Sequence, residues 1–207
     1  MRLADGIYKV DGVRAGNVYL VAIDDGLLLV DTGMPGNAKR IVAFIESVGR
    51  QAADLRYIVL THCDIDHIGS VATLKELTGA KVAIHELDGP VLAGKQRPQK
   101  GGPVMAAFSR LLRPRPVVPD LLLKDGDRIG GLQVMHVPGH TAGSLVLRRE
   151  DGVVFSGDAL LGDRHGQVRL PAPRLALDRV QALASAERIK ALPMKLLCPG
   201  HGSPVHM

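Results

Sequence analysis

The sequence predicts an α/β fold in which two sheets pack face to face with helices outside. Three observations carry that prediction. A strand–turn–strand unit occurs twice, each copy is followed by a helical pattern, and each helix leads into an apolar strand that ends in histidine.

The first copy begins with AGNVYLVAIDDGLLLVDTG (15–33), the second with AGSLVLRREDGVVFSGD (142–158). An Asp-Gly pair between two apolar runs is a strong hairpin signal. After the first hairpin, Asn37 is placed to cap a helix with Ile41, Phe44, Ile45 and Val48 on one face, and Gly49 suits its end. After the second, Asp178 with Gln181 resembles a capping box, and Val180, Leu183, Ile189 and Leu192 follow before Pro193. The strands RYIVLTH (56–62) and KLLCPGH (195–201) close the two copies. Either copy alone would leave one sheet face bare, so pairing buries both and gathers the histidine-bearing strand ends at one edge.

Composition narrows the class. The 207 residues are 46% hydrophobic and 23% charged, an ordinary globular balance, and aromatic residues supply only 3%. One domain spanning 1–207 is expected. No apolar stretch is long enough for a transmembrane segment, and the start MRLADGIYKVDG lacks a secretory h-region, which points to a cytoplasmic protein. Cys63 and Cys198 are read as reduced, packed thiols. The net charge of +5 resides in one segment: Lys95, Arg97, Lys100, Arg110, Arg113 and Arg115 fall between Gly89 and Pro119 with no acidic residue among them. Setting those six aside leaves 20 basic residues against 21 acidic ones. The segment at about 88–119 is also rich in proline, with only VMAAFSRLLR (104–113) helical in pattern. It reads as an excursion rising near the histidine edge, a lid with a basic rim; a solvated loop or a homodimer contact are the alternatives.

The chemistry concentrates in LTHCDIDHIGS (60–70). His62, Asp64 and Asp66 alternate along an expected extended loop, so they aim to one side, and His67 turns back as a helix over Ile68, Val71, Leu74 and Leu77 begins. Further on, His140 sits in VPGHTAGS, Asp158 in FSGDAL and His201 in CPGHGS, all at strand ends or adjoining turns. Imidazole nitrogens and carboxylate oxygens bind borderline divalent metals, and a carboxylate can bridge two ions. Seven ligand candidates exceed the need of one tetrahedral ion and suit a dinuclear metal centre whose shared hydroxide attacks a polarised bond.

The ordered set THCDIDH, PGHTAGS, SGD and PGHG, together with the early VDTG, resembles the metallo-β-lactamase superfamily over essentially the whole chain. The resemblance implies a four-layer αββα sandwich of two similar halves. It also implies that His62, Asp64 and His140 hold one ion, that Asp66, His67 and His201 hold the other, and that Asp158 bridges. Asp31 would orient a ligating imidazole through a hydrogen bond. Asp66 would in addition manage the proton of the leaving group.

One position departs from the family's usual His-x-His-x-Asp-His loop: Asp64 stands where a second histidine is expected. Three aspartates and a bridging hydroxide carry −4, which neutralises two divalent ions, whereas histidine at 64 would leave +1. A more anionic ligand set favours harder metals, so iron or manganese compete with zinc. The loop after Asp158 faces substrate in this family, which nominates Arg164 and His165 as substrate contacts, and His85 is a further candidate at the end of the strand 81–86.

The expected function is a metallo-hydrolase acting on an ester, thioester, lactone or phosphoester of a small-molecule substrate that carries an anionic group. An iron-dependent thiol or persulfide dioxygenase-like protein, or another redox member of the same fold, is the alternative. Nucleic-acid or lipid binding through the basic segment is the third reading.

Overall fold

The structure, a computed structural model, describes residues 1–98 and 114–207. The expected helix 104–113 and the basic residues Lys100, Arg110 and Arg113 lie outside the described residues.

Two sheets form the centre. The first has seven strands in chain order: β1 (Arg2–Ala4), β2 (Ile7–Lys9), β3 (Tyr19–Ile23), β4 (Gly26–Val30), β5 (Leu55–Val59), β6 (Lys81–His85) and β7 (Leu121–Leu123). The second comprises β8 (Arg128–Ile129), β9 (Leu132–His136), β10 (Leu145–Arg148), β11 (Val153–Gly157), β14 (Leu196–Pro199) and β15 (Val205–His206), in the order β15-β14-β11-β10-β9-β8. A small ribbon, β12 (Leu161–Gly162) with β13 (Val168–Arg169), stands apart.

The repeat is visible in the pairing. The antiparallel hairpin β3–β4 continues through helix α1 (Ala38–Ser47) into β5, which lies parallel to β4. The antiparallel hairpin β10–β11 continues through a second long helix, Arg179–Lys190, into β14, which lies parallel to β11. Strand β4 (GLLLV) is buried throughout because both of its faces are covered. Leu27 and Leu29 pack outward with Ile41 and Ile45 of α1. Leu28 and Val30 pack inward with Leu145, Leu147 and Phe155 of the second sheet. A third cluster joins Val146, Val154 and Leu197 to Ala186 and Ile189 of the second helix. Helix, sheet, sheet and helix therefore make four layers, the αββα sandwich of the metallo-β-lactamase fold.

Several local expectations are corrected. Asn37 occupies the N-cap position of α1 without a side-chain cap bond, because its Oδ1 accepts from Arg14 N instead, while its Nδ2 donates to Arg14 O and Met34 O. The first hairpin turns at Asp24–Asp25, and Gly26 is already paired with Ile23. Gly26 lies so close to Asp54 and Arg56 that a side chain there would strike both. On the second long helix, Asp178 does cap, accepting from Val180 N and Gln181 N, but Val180 and Leu183 face solvent. The buried face is Ser185, Ala186 and Ile189. Finally, Arg115 is held by Glu76 through two charge-assisted bonds of 2.7 and 2.8 Å and also reaches Thr73, so its charge is matched on the helix Val71–Thr78 rather than free on a rim.

Candidate metal centre

The helix expected to start beyond His67 starts earlier. Asp64 is extended and its carbonyl accepts from His67 N and Ile68 N, which winds α2 (Ile65–Ile68) immediately after it. Asp66 therefore projects from a helical turn rather than from an extended loop. The next helix, α3 (Val71–Thr78), ends at Gly79 in the left-handed conformation. Ile68, Val71 and Leu74 are buried under it, whereas Leu77 is exposed.

All seven predicted ligand candidates converge at one edge of the two sheets. Six of them form two groups within each of which the donor atoms lie within 4.8 Å of one another: His62, His140 and Asp158 in one, Asp66, His67 and His201 in the other. Either group could hold a metal ion. Asp64 adjoins the first, its Oδ2 lying 3.0 Å from His140 Nε2 and 3.5 Å from His62 Nε2. Asp158 stands between them: Oδ2 is 3.5 Å from both His140 Nε2 and His201 Nε2, and Oδ1 is 3.4 Å from His67 Nε2. His67 Nε2 and His201 Nε2 are 3.3 Å apart, and His201 is 3.1 Å from Asp66 Oδ2. His62, His67 and His140 form a buried floor, while Asp64, Asp66 and His201 are partly exposed at the mouth.

Asp31 organises the floor. It follows β4 directly, with a φ of 61°, a conformation uncommon for a residue with a side chain and often found where function demands it. Its Oδ1 accepts from Thr61 N at 2.8 Å, and its Oδ2 accepts from both Thr61 Oγ1 and His67 Nδ1 at 2.8 Å. The Thr61 hydroxyl hydrogen is thereby committed to Asp31, so Thr61 Oγ1 accepts from His62 Nδ1 at 3.0 Å. Both imidazoles carry their proton on Nδ1 and turn Nε2 inward, the tautomer a metal ligand needs. His62 Nε2 is buried and makes no hydrogen bond among the described residues. A buried acceptor of this kind fits a cation.

The charges agree. Burial pushes the Asp158 carboxyl up, but His67, His62 and His201 outweigh it and hold its pKa far below the usual carboxylate range. For His67, burial favours the neutral ring, yet Asp31 and Asp158 raise its pKa well above 6.5, so a bound cation would have to displace the Nε2 proton. Glycines make room for this crowding: a Cβ on Gly200 would fall against Asp158 and 2.8 Å from His67 Cε1, and one on Gly16 would lie 2.6 Å from Asp66 O.

The other candidates lie elsewhere. His85 is buried and stacks on His136, with ring centroids 4.0 Å apart and planes 14° from parallel. Arg164 and His165 are exposed at the tip of the β12–β13 ribbon, where Arg164 Nε donates to His165 Nε2. Cys63 and Cys198 are buried thiols rather than a disulfide, and burial lifts the Cys198 pKa well above the ordinary thiol value. Sequence reasoning missed Asp88, a buried carboxylate behind the first ligand loop, and Thr61, whose hydroxyl relays Asp31 to His62. A cleft beside Asp64 is walled by Leu87, Val91, Pro98, Ala142 and Leu177.

Fold and site together define a metallo-β-lactamase-type protein. The chain belongs to the metallo-β-lactamase superfamily, whose family model matches residues 11–201. It is similar to the Bacillus subtilis uncharacterized protein YobT, at 32% identity over 90% of this chain and 82% of that one. The probable metallo-hydrolase YflN of the same organism is 28% identical over 98% of this chain and 86% of its own length. Among solved structures, TTHA1623 in a di-iron-bound form shares 32% identity, with a TM-score of 0.74 over 96% of this chain and 93% of that one.

Proposed function

We propose that the chain is a metal-dependent hydrolase that cleaves an ester, thioester, lactone or phosphoester of a small molecule at a dinuclear centre. The observation that carries this reading is the pair of donor groups with Asp158 within 3.5 Å of histidines of both, together with the inward-facing, unbonded Nε2 of His62. His62, Asp64 and His140 would hold one divalent ion, Asp66, His67 and His201 the other, and Asp158 would contact both. Two such ions supply Lewis-acid polarisation of the reacting oxygen and acidify a water for attack.

The chain's own residues do the rest. Asp31 and Thr61 fix the imidazole tautomers. Burial pushes the Asp66 carboxyl up, but His201 and His67 outweigh it and hold it below the usual range. At the mouth and 3.1 Å from His201, Asp66 would take the proton of the attacking water and pass it to the leaving group. Leu87, Val91 and Leu177 offer an apolar wall to the substrate body beside Asp64. The name of YflN, a probable metallo-hydrolase, supports the reaction class.

The metal pair is proposed to contain iron or manganese in preference to two zincs. Asp64 supplies the extra anionic ligand, and the di-iron form of TTHA1623 supports that choice. Reconstitution of metal-free protein with zinc, manganese, cobalt or iron, followed by assay against esters, thioesters, lactones and phosphoesters, tests both points. Hydrolysis that appears only on reconstitution is expected; thiol-dependent oxygen uptake without hydrolysis would favour the redox alternative.

A further inference from the structure

Asp88 opens the segment that leaves the first sheet after β6. It occupies the N-cap position of a one-turn helix, α4 (Gly89–Leu92), yet its side chain makes no cap bond. The carboxylate is spent elsewhere. Its Oδ2 accepts from Cys63 N at 3.0 Å and from Thr141 Oγ1 at 2.8 Å, and its Oδ1 accepts from Gly143 N at 2.9 Å. Asp88 is 3% exposed, so all three bonds are shielded from water.

Those three donors come from two loops of different halves. Cys63 lies between His62 and Asp64, and Thr141 follows His140. On the other side of His62, Thr61 N donates to Asp31. The backbone amides of Thr61 and Cys63, on either side of His62, are therefore each tied to a buried carboxylate, one just after β4 and one just before α4. Gly143 shows how tightly the fit is drawn: a Cβ there would lie 2.7 Å from Asp88 Cγ. Thr141 is braced further, its amide donating to Ser144 Oγ at 2.9 Å.

We infer that Asp88 is a positioning residue that sets the distance between the His62–Asp64 loop and His140, and so builds the first donor group while leaving the second alone. This rests on the dinuclear reading above. A carboxylate is acceptor-only, which is what three converging donors require. In Asp88→Asn the amide nitrogen would face an N–H or O–H donor, and the two loops would separate by the width of a failed bond. Partners that orient ligands typically contribute about 10–100-fold in metal affinity.

The test is cobalt titration of metal-free protein, read by visible absorbance in competition with a chelator, in two backgrounds. With His201→Ala breaking the second group, Asp88→Asn is expected to weaken cobalt binding about 10–100-fold. With His140→Ala breaking the first group, Asp88→Asn is expected to leave cobalt affinity at the remaining group unchanged. Equal losses in both backgrounds, or none in either, would overturn the inference. If Asp88→Asn does not fold, Thr141→Val removes one arm alone. It should weaken the first group, and Thr141→Ser, which restores the hydroxyl, should recover it; failure of that pairing also overturns the inference. A chain without these background changes that binds no cobalt would instead defeat the dinuclear reading itself.

Discussion

Asp31 and His67 are both sealed from solvent, and a 2.8 Å bond joins the carboxylate Oδ2 to the imidazole Nδ1. The same oxygen takes the Thr61 hydroxyl, which in turn takes His62 Nδ1. One carboxylate thus sets the tautomer of two candidate ligands. In Asp31→Asn the amide nitrogen would compete with these donors, and His67 could present N–H rather than a lone pair to a cation. Metal affinity should fall about 10–100-fold, measured by chelator competition. Unchanged affinity would mean that the imidazoles are oriented by other contacts.

Asp64 lies 3.0 Å from His140 and supplies a charge that histidine would not. Asp64→His should move the metal content of protein expressed in balanced metals toward zinc and away from iron and manganese. Elemental analysis checks it, and an identical metal ratio in both proteins would contradict it.

Gly200 admits Asp158 and His67 to the same small volume. Gly200→Ala should displace Asp158 from between the two groups and reduce bound metal, at a stability cost of about 1–3 kcal/mol from overpacking. Metal stoichiometry and urea denaturation report the two effects separately; full stoichiometry would show that the site tolerates the methyl.

His85 is held below 6.5 first by burial and then by the neighbouring His136. Unfolding restores the ordinary value, so just below 6.5 the unfolded chain binds more protons than the folded one. This group's contribution therefore makes stability rise with pH in that window and fall on acidification through 6.5. His85→Phe keeps a ring on His136 and removes the titration. Its denaturation midpoints should depend less steeply on pH there, and an identical dependence would contradict the assignment.

On the helix Arg179–Lys190, Ile189 is fully buried and Val180 is 79% exposed. Ile189→Ala should cost about 2–5 kcal/mol, and Val180→Lys should stay within about 0.5 kcal/mol. Thermal or urea unfolding distinguishes these from the comparable burial of Val180 and Ile189 that the apolar pattern alone implies.

That difference between Ile189 and Val180 shows where the sequence was legible and where it was not. The repeat, the two sheets and the seven converging side chains could be read because each is a pattern of side-chain type against spacing. The packed face of the Arg179–Lys190 helix could not. This helix presses so closely on the 138–140 turn that a Cβ on Gly139 would lie 2.8 Å from Ala182 Cβ, so its first turns pack through small residues while Val180 and Leu183 face out. Asp88 and Thr61 were invisible for a different reason. Both act through backbone amides or through another side chain, and an Asp before Gly-Pro reads as a helix cap. Asp64 and His67 were assigned to the site, yet the start of α2 between them depended on which amides the Asp64 carbonyl would take.

The central claim is that both donor groups fill with metal around Asp158. Anomalous diffraction from crystals grown with manganese or iron measures this directly. Two peaks are expected, one among His62, Asp64 and His140 and one among Asp66, His67 and His201, with Asp158 touching both. Crystals soaked in either metal that show no peak, with these side chains turned away from one another, would contradict it.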